Sequence, residues 1–188
     1  MRIGIFGGSF NPVHEGHLCL ARAAVSELNL NKIIFVPSFQ NPLKQKEELL
    51  PPVFRIKLLR TAIKNQPGFS ISLYEIKRKS PSFTVDTLKY FKRKFGKCSV
   101  LYFLSGADVL KNIKRWKSVD QIFKICRFVV MTRPGYPEMR SPKSVLQVPF
   151  EALSLSSSGI RRRLQRGQSI GGLVPSGTEK MLTAHFKK

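Results

Sequence analysis

Acidic residues are scarce in this chain. Eleven Asp and Glu stand against 33 Lys and Arg, a formal net charge of +22 at pH 7. Such a field attracts polyanions. The cations are scattered in short pieces, such as Lys77-Arg78-Lys79, Lys92-Arg93-Lys94 and Arg161-Arg162-Arg163. There is no basic tail and no nucleic-acid-binding motif, so no specific nucleic acid is expected as a partner. A compositional bias of the source would give the same spread. Most of this charge reads as solvated surface, with a few cations left to meet substrate phosphates. Cysteine is also rare: Cys19, Cys98 and Cys126 are far apart, odd in number and without a Cys-x-x-Cys pair. That excludes a disulfide scaffold and fits a reducing cytoplasm. Long apolar runs are missing, and the N-terminal apolar segment is too short for a signal peptide or a membrane span, so no membrane partner is expected. No Gly-Lys-Ser/Thr follows the glycine-rich turn, which excludes a Walker P-loop. Repeats, low-complexity segments and domain linkers are absent. The 188 residues, 42% of them hydrophobic, suit one domain spanning 1–188 with ample length for a core.

What is present is concentrated in Gly7-Gly8-Ser9-Phe10-Asn11-Pro12-Val13-His14-Glu15-Gly16-His17-Leu18. Before it, Arg2 to Phe6 alternates as a strand. After it, Leu18, Ala21, Val25 and Leu28 recur at the spacing of one helical face. The stretch is therefore a strand-to-helix turn. Its glycines let backbone approach a ligand closely, and the helix N-terminus behind them offers free N–H groups and the positive end of a dipole, a setting for phosphate. His14 and His17 lie three apart, so their side chains point to one side. Zinc is a poor occupant, because it needs three or four protein ligands and the only other histidine is the distant His185.

Along the rest of the chain, strand patterns at Lys32–Pro37, Phe69–Leu73, Val100–Leu104, Arg127–Met131 and Val145–Val148 alternate with helical ones. The helices are expected at Pro52–Ile63, from a Ser82 or Thr84 cap to about Phe95, around Val119–Phe123, from Ser157 or Ser158 through Leu164, and after a Ser176-x-x-Glu179 capping box. A basic loop is expected after Leu73. The alternation predicts an α/β fold with parallel pairing and right-handed crossovers. Ligands of such sheets bind beyond the carboxyl ends of the strands. Four polar turns fall there: Gly7–His17, Ser38–Lys44, Ser105–Asp108 and Thr132–Gly135.

The His-Glu-Gly-His turn resembles the HxGH motif of nucleotidyltransferases. The whole opening, Gly7 to Leu18, is similar to that of bacterial nicotinate-nucleotide adenylyltransferases. Further pieces agree along nearly the whole chain: Pro81-Ser82-Phe83-Thr84-Val85-Asp86-Thr87-Leu88, Gly106-Ala107-Asp108 with Trp116 downstream, Arg133-Pro134-Gly135, and Ser156-Ser157-Ser158-Gly159-Ile160-Arg161. The resemblance implies a Rossmann-like parallel sheet with helices on both faces. It implies a cytoplasmic enzyme of NAD biosynthesis that joins nicotinate mononucleotide to ATP, with Mg²⁺, and releases deamido-NAD and pyrophosphate.

It also implies roles. His14 and His17 would donate hydrogen bonds to the ATP phosphates during the reaction. The backbone of Gly7, Gly8, Ser9 and Phe10 would pack against nucleotide and phosphate. Lys44 and Arg133 are candidate phosphate cations. Ser157, Ser158 and Arg161 would form a second phosphate cradle, and Asp108 would hold the adenosine ribose. Trp116 would stack on the pyridine ring, and Thr84 with nearby N–H groups would hold the pyridine carboxylate. Four departures stand out, one of them Ser158 in place of a threonine, which keeps a hydroxyl. Asn41-Pro42-Leu43-Lys44 lacks the family's histidine beside the lysine, Phe83 replaces a tyrosine, and Lys114-Arg115-Trp116 is unusually basic.

Plainer readings exist for several of these residues. Trp116 would serve as packing, Thr84 as a helix cap, Ser156 to Ser158 as a turn and cap, and Asp108 as a cap of the next helix. Arg161 has two basic neighbours that compete for the phosphate role. Nicotinamide mononucleotide or phosphopantetheine are alternative acceptors, and a non-catalytic basic nucleic-acid-binding protein is the rival of a different class. A homo-oligomer is open.

Overall fold

The structure is a computed structural model that describes residues 1–42, 49–132, 144–151 and 153–187. In chain order the elements are β1 (Arg2–Gly8), α1 (Glu15–Leu28), β2 (Lys32–Pro37), α2 (Pro52–Ile63), β3 (Phe69–Ile71), α3 (Tyr74–Arg78), α4 (Thr84–Phe95), β4 (Val100–Gly106), α5 (Val119–Ile125), β5 (Arg127–Thr132), β6 (Val145–Pro149), α6 (Ser157–Gln165) and α7 (Thr178–Phe186). Two 3₁₀ turns, Ala107–Lys111 and Ile113–Arg115, lie between β4 and α5.

The strands form a parallel sheet in the order β3-β2-β1-β4-β5-β6. Side chains alternate across it, as the period of two requires. Phe6, Ile33, Phe35, Tyr102, Leu104, Val129 and Met131 face one way, towards α1, α2, α6 and α7. Ile3, Ile5, Ile34, Val36, Leu101, Phe103, Phe128 and Val130 face the other way, towards α4 and α5. Both faces are thus covered by helices, which is why the strands read as nearly continuous apolar runs. Gly4 is fixed by this packing: a Cβ there would lie 2.9 Å from Leu30 Cδ1 and 3.0 Å from Ile33 Cγ1.

Each helix shows the stripe that docks it. In α4, Val85, Leu88 and Phe91 are buried, while Lys89, Lys92, Arg93 and Lys94 stand on its polar side. In α2 the buried positions are Arg55, Leu58, Leu59, Ala62 and Ile63, the spacing of a single helical face. An arginine therefore occupies a core position of that stripe.

The structure departs from the sequence expectation in local details. Residues Tyr74–Arg78, expected as a basic loop, form α3. Neither Ser82 nor Thr84 caps α4; its N-cap is Phe83, and Ser82 Oγ instead accepts from the Phe39 amide at 3.1 Å. The Ser176–Glu179 capping box does not form. Gly177 is the N-cap of α7 with φ +84°, and Thr178 Oγ1 donates back to the Pro175 carbonyl at 2.6 Å. Ser82 is drawn off by a partner 43 residues away, whereas Thr178 bonds locally, three residues back. β1 and β4 also run on through Gly8 and Gly106, so the first turn begins at Ser9.

The order places β1 and β4 side by side with their chains leaving to opposite faces. That is the switch point of a doubly wound sheet, where a crevice opens at the carboxyl ends. Phe35 anchors the β2 side of this edge: it is fully buried, with ring centroids 5.4 Å from Phe6, 5.7 Å from Phe10 and 5.4 Å from Phe69. Phe35→Ala should lower unfolding stability by about 3–5 kcal/mol, read from urea denaturation, because the cavity lies among rings that cannot collapse into it.

Candidate active site

A cleft of about 960 Å³ opens over the carboxyl ends of the strands. Gly7, Gly8, Ser9, His14, His17, Thr84, Asp108, Trp116, Ser157, Ser158 and Arg161 all line it. These residues span 155 positions of sequence, and the sheet edge brings them together. Phe10 is the exception among the described candidates. Its φ is +44°, its side chain is buried with Phe6 and Phe35, and it is not part of the cleft wall. Lys44 and Arg133 lie outside the described residues.

The histidine pair sits at the head of α1. His14 is the N-cap in extended backbone (φ −145°, ψ 168°), and its amide donates to His17 Nδ1 at 3.2 Å. A nitrogen that accepts carries no proton. Neutral His17 therefore bears its proton on Nε2, which makes that atom a donor. The two rings stack at 3.7 Å with 30° between planes, and Phe10 meets His17 edge-on at 5.1 Å. Gly16 permits this stack: a Cβ there would lie 3.1 Å from His14 Nδ1 and 3.2 Å from Cε1.

His14 is only 7% exposed, and burial pushes its pKa down to about 4. It is neutral at pH 7 and can donate from one nitrogen only. Its Nδ1 has no hydrogen-bond partner among the described residues, and neither has Ser38 Oγ. Both residues lie on the cleft wall. Buried polar atoms are normally paired, so orphans at a cleft point to a polar ligand.

The start of α6 is tied to the same turn. Ser157 Oγ donates to the Pro12 carbonyl at 2.8 Å, and Arg161 Nη1 donates to the Asn11 carbonyl at 2.6 Å. Ser156 is the true cap, accepting from the Gly159 amide at 3.1 Å, and its hydroxyl lies 3.3 Å from that of Ser158. Arg161 is the member of the Arg161–Arg163 run that reaches the cleft. Arg163 turns away, donating to the Ser169 carbonyl at 2.9 Å.

At the other end of the cleft, Trp116 packs edge-on against Phe103 (5.8 Å) and Phe128 (5.7 Å), half-buried. Packing and ligand wall are thus both open to it. Thr84 is the first residue of α4, so the helix N-terminus faces the same space. Asp108 is exposed on the first 3₁₀ turn.

Residues not singled out from the sequence also reach the wall, among them Ser38, Glu75 and Lys117. Glu75 is buried and accepts from Thr87 Oγ1 at 2.6 Å. Burial pushes its carboxyl above the usual range, opposed by hydrogen bonds from Thr87 and Ser82 and by the Arg78 charge. The family-like Thr87 is therefore a strut for Glu75. Only the apolar flanks of Tyr74-Glu75-Ile76 would have signalled this burial.

The His14 shift makes stability depend on pH. The unfolded chain takes up this proton near 6.5 and the folded chain near 4. Between those values the unfolded state binds more protons, so stability is full above 6.5 and falls as pH drops towards 4. The loss is about 3 kcal/mol for this group. Urea denaturation across that window should show the decline, and His14→Gln should flatten it.

A family model described as cytidylyltransferase-like matches residues 5–163. A Thermoanaerobacter protein named as a probable nicotinate-nucleotide adenylyltransferase is 37% identical, over 100% of this chain and 95% of its own length. A Thermus thermophilus protein of the same name is 36% identical over 98% of both chains. Among solved structures, nicotinic acid mononucleotide adenylyltransferase of Plasmodium falciparum, complexed with NaAD, superposes with a TM-score of 0.74. It is 20% identical and covers 99% of this chain and 96% of that one, a likeness of fold. The chain belongs to the nicotinate-nucleotide adenylyltransferase family, within the cytidylyltransferase-like nucleotidyltransferases.

Proposed function

We infer that this protein transfers the adenylyl group of ATP to nicotinate mononucleotide, giving deamido-NAD and pyrophosphate in NAD biosynthesis. The observation that carries this reading is the histidine pair. A desolvated neutral His14 and a His17 with its proton on Nε2 stand together at a helix head, on the wall of a cleft of about 960 Å³. Full-length relatives of that name support it.

An oxygen of the mononucleotide phosphate attacks the α-phosphorus of ATP. The bond from that phosphorus to the bridging oxygen breaks, and pyrophosphate leaves with the electron pair. The nucleophile is already an anion, so no strong base is needed. The barrier lies in aligning two anions and in neutralising charge as it shifts. We assign His17 Nε2–H and His14 to the ATP phosphates, and the backbone of Gly7, Gly8, Ser9 and Phe10 to their close approach. Ser157, Ser158 and Arg161 serve the departing phosphates, with Lys44 and Arg133 as further cations. Asp108 accepts from the adenosine ribose. The pyridine ring stacks on Trp116, and its carboxylate meets Thr84 and the N-terminus of α4, where anions are favoured. The neutral carboxamide of the amide mononucleotide would lose charge-assisted bonds there, worth about 1.5–3 kcal/mol each.

Mg²⁺ fits this site as a passenger of ATP. Among the described residues no group of three or more His, Cys, Asp or Glu gathers to hold a metal. Mg²⁺ commonly enters such sites with the substrate phosphates and few protein ligands, so it would need no dedicated protein cage here. When bound it would neutralise phosphate charge. We further propose one domain over 1–188, working in the cytoplasm; no helix among the described residues is long and apolar enough to cross a membrane.

Pyrophosphate release from ATP and Mg²⁺ should require nicotinate mononucleotide and be slower with the amide. His17→Ala should cut turnover about 10²–10³-fold, the usual cost of one preorganised donor. Parent protein that releases no pyrophosphate with this acceptor would overturn the reading.

A further inference from the structure

Arg55 is completely buried, and its three hydrogen bonds all go to backbone carbonyls. Nη1 donates to Ser9 at 2.6 Å, Nη2 to Ser38 at 2.9 Å and Nε to Leu50 at 3.0 Å. Those carbonyls belong to three separate segments: the turn after β1, the exit of β2 and the entry to α2. No carboxylate pairs with it among the described residues. Burying a charge is costly, and arginines so placed are normally paired with an acid. A structural brace for three loops does not need a charge at all. A fixed cation does become useful if an anion arrives on the far side of the braced turn. Ser9 and Ser38 both line the cleft, so the guanidinium sits directly behind its wall.

We propose that Arg55 is a positioning residue for the nucleotide phosphates. Its fork locks the Ser9 and Ser38 carbonyls away from the ligand, which keeps the Gly7–Phe10 turn shaped to receive phosphate. Its charge adds a permanent, water-excluded positive potential behind that turn. A guanidinium suits the post because its pKa starts so high that it stays charged even though burial lowers it here, and it presents a rigid fan of donors. This inference rests on the adenylyl-transfer reading for the identity of the anion, but its test does not depend on the acceptor.

The test compares binding of ATP and of adenosine, which has no phosphates, to the parent, Arg55→Lys and Arg55→Met. Isothermal titration would be done well below each variant's melting temperature. Lys keeps the charge but loses the fork; Met loses both. Adenosine affinity should stay within about threefold of the parent in every folded variant. ATP affinity should fall about tenfold in Arg55→Lys and about 10²-fold in Arg55→Met, and turnover should fall with it, since small misplacements of a positioned group are costly. If Arg55→Met does not fold, Arg55→Lys decides alone. Equal losses of ATP and adenosine affinity would make Arg55 a general structural brace and overturn the proposal. Parent-like ATP binding in either variant would overturn it as well. Absence of turnover in the parent would strike the functional reading, while a selective ATP loss in the Arg55 variants would still stand.

Discussion

The turn between β1 and α1 presents part-buried backbone carbonyls, and distant segments of the chain supply the donors. Buried carbonyls must be paired or the fold is destabilised. The Gly8 carbonyl takes the Ser38 amide. Ser9 takes Arg55, Asn11 takes Arg161 and Pro12 takes Ser157. The Asn11 side-chain oxygen takes the Leu50 amide at 2.8 Å, and the Glu15 amide reaches out to the Leu173 carbonyl at 3.0 Å. One short turn thus pins the exit of β2, the start of α2, the start of α6 and the approach to α7. The segments that wall the site are tied to one another through this turn.

That convergence explains why the catalytic candidates are also structural. Arg161 and Ser157 hold the turn through their own hydrogen bonds while standing at the cleft. His17 fixes the first turn of α1 through the His14 amide, and the same bond sets the tautomer that lets Nε2 donate. Gly16 is small because the His14 ring lies over it. Rigid placement of this kind is what a reaction between two anions needs, since alignment rather than strong bases carries most of its catalysis.

Much of this was legible in the sequence, for physical reasons. The strands are buried on both faces, so Lys32–Pro37, Arg127–Met131 and Val100–Leu104 announce themselves as apolar runs. Pro52–Ile63 shows both its proline start and its stripe. The HxGH turn and Trp116 stood out because they are rare residue types in a tight setting. What stayed hidden depends on long-range partners. The Tyr74–Arg78 helix is too short to show a period. Ser82 has capping chemistry, yet its hydroxyl accepts from the distant Phe39 amide, and Gly177 rather than Ser176 takes the N-cap of α7. Arg55 lay in plain view on the apolar stripe of α2, but only the fold shows that its partners are three carbonyls from elsewhere.

The histidine pair is preset: His14 neutral and desolvated, His17 protonated on Nε2. Nitrogen-15 NMR of the imidazoles reads both properties directly. In the free protein His14 should stay neutral down to about 4, with His17 carrying its proton on Nε2 and accepting at Nδ1. A non-hydrolysable ATP analogue should shift both sets of ring signals. A His14 that titrates near its ordinary value of 6.5, or a His17 protonated on Nδ1, would contradict a preset pair.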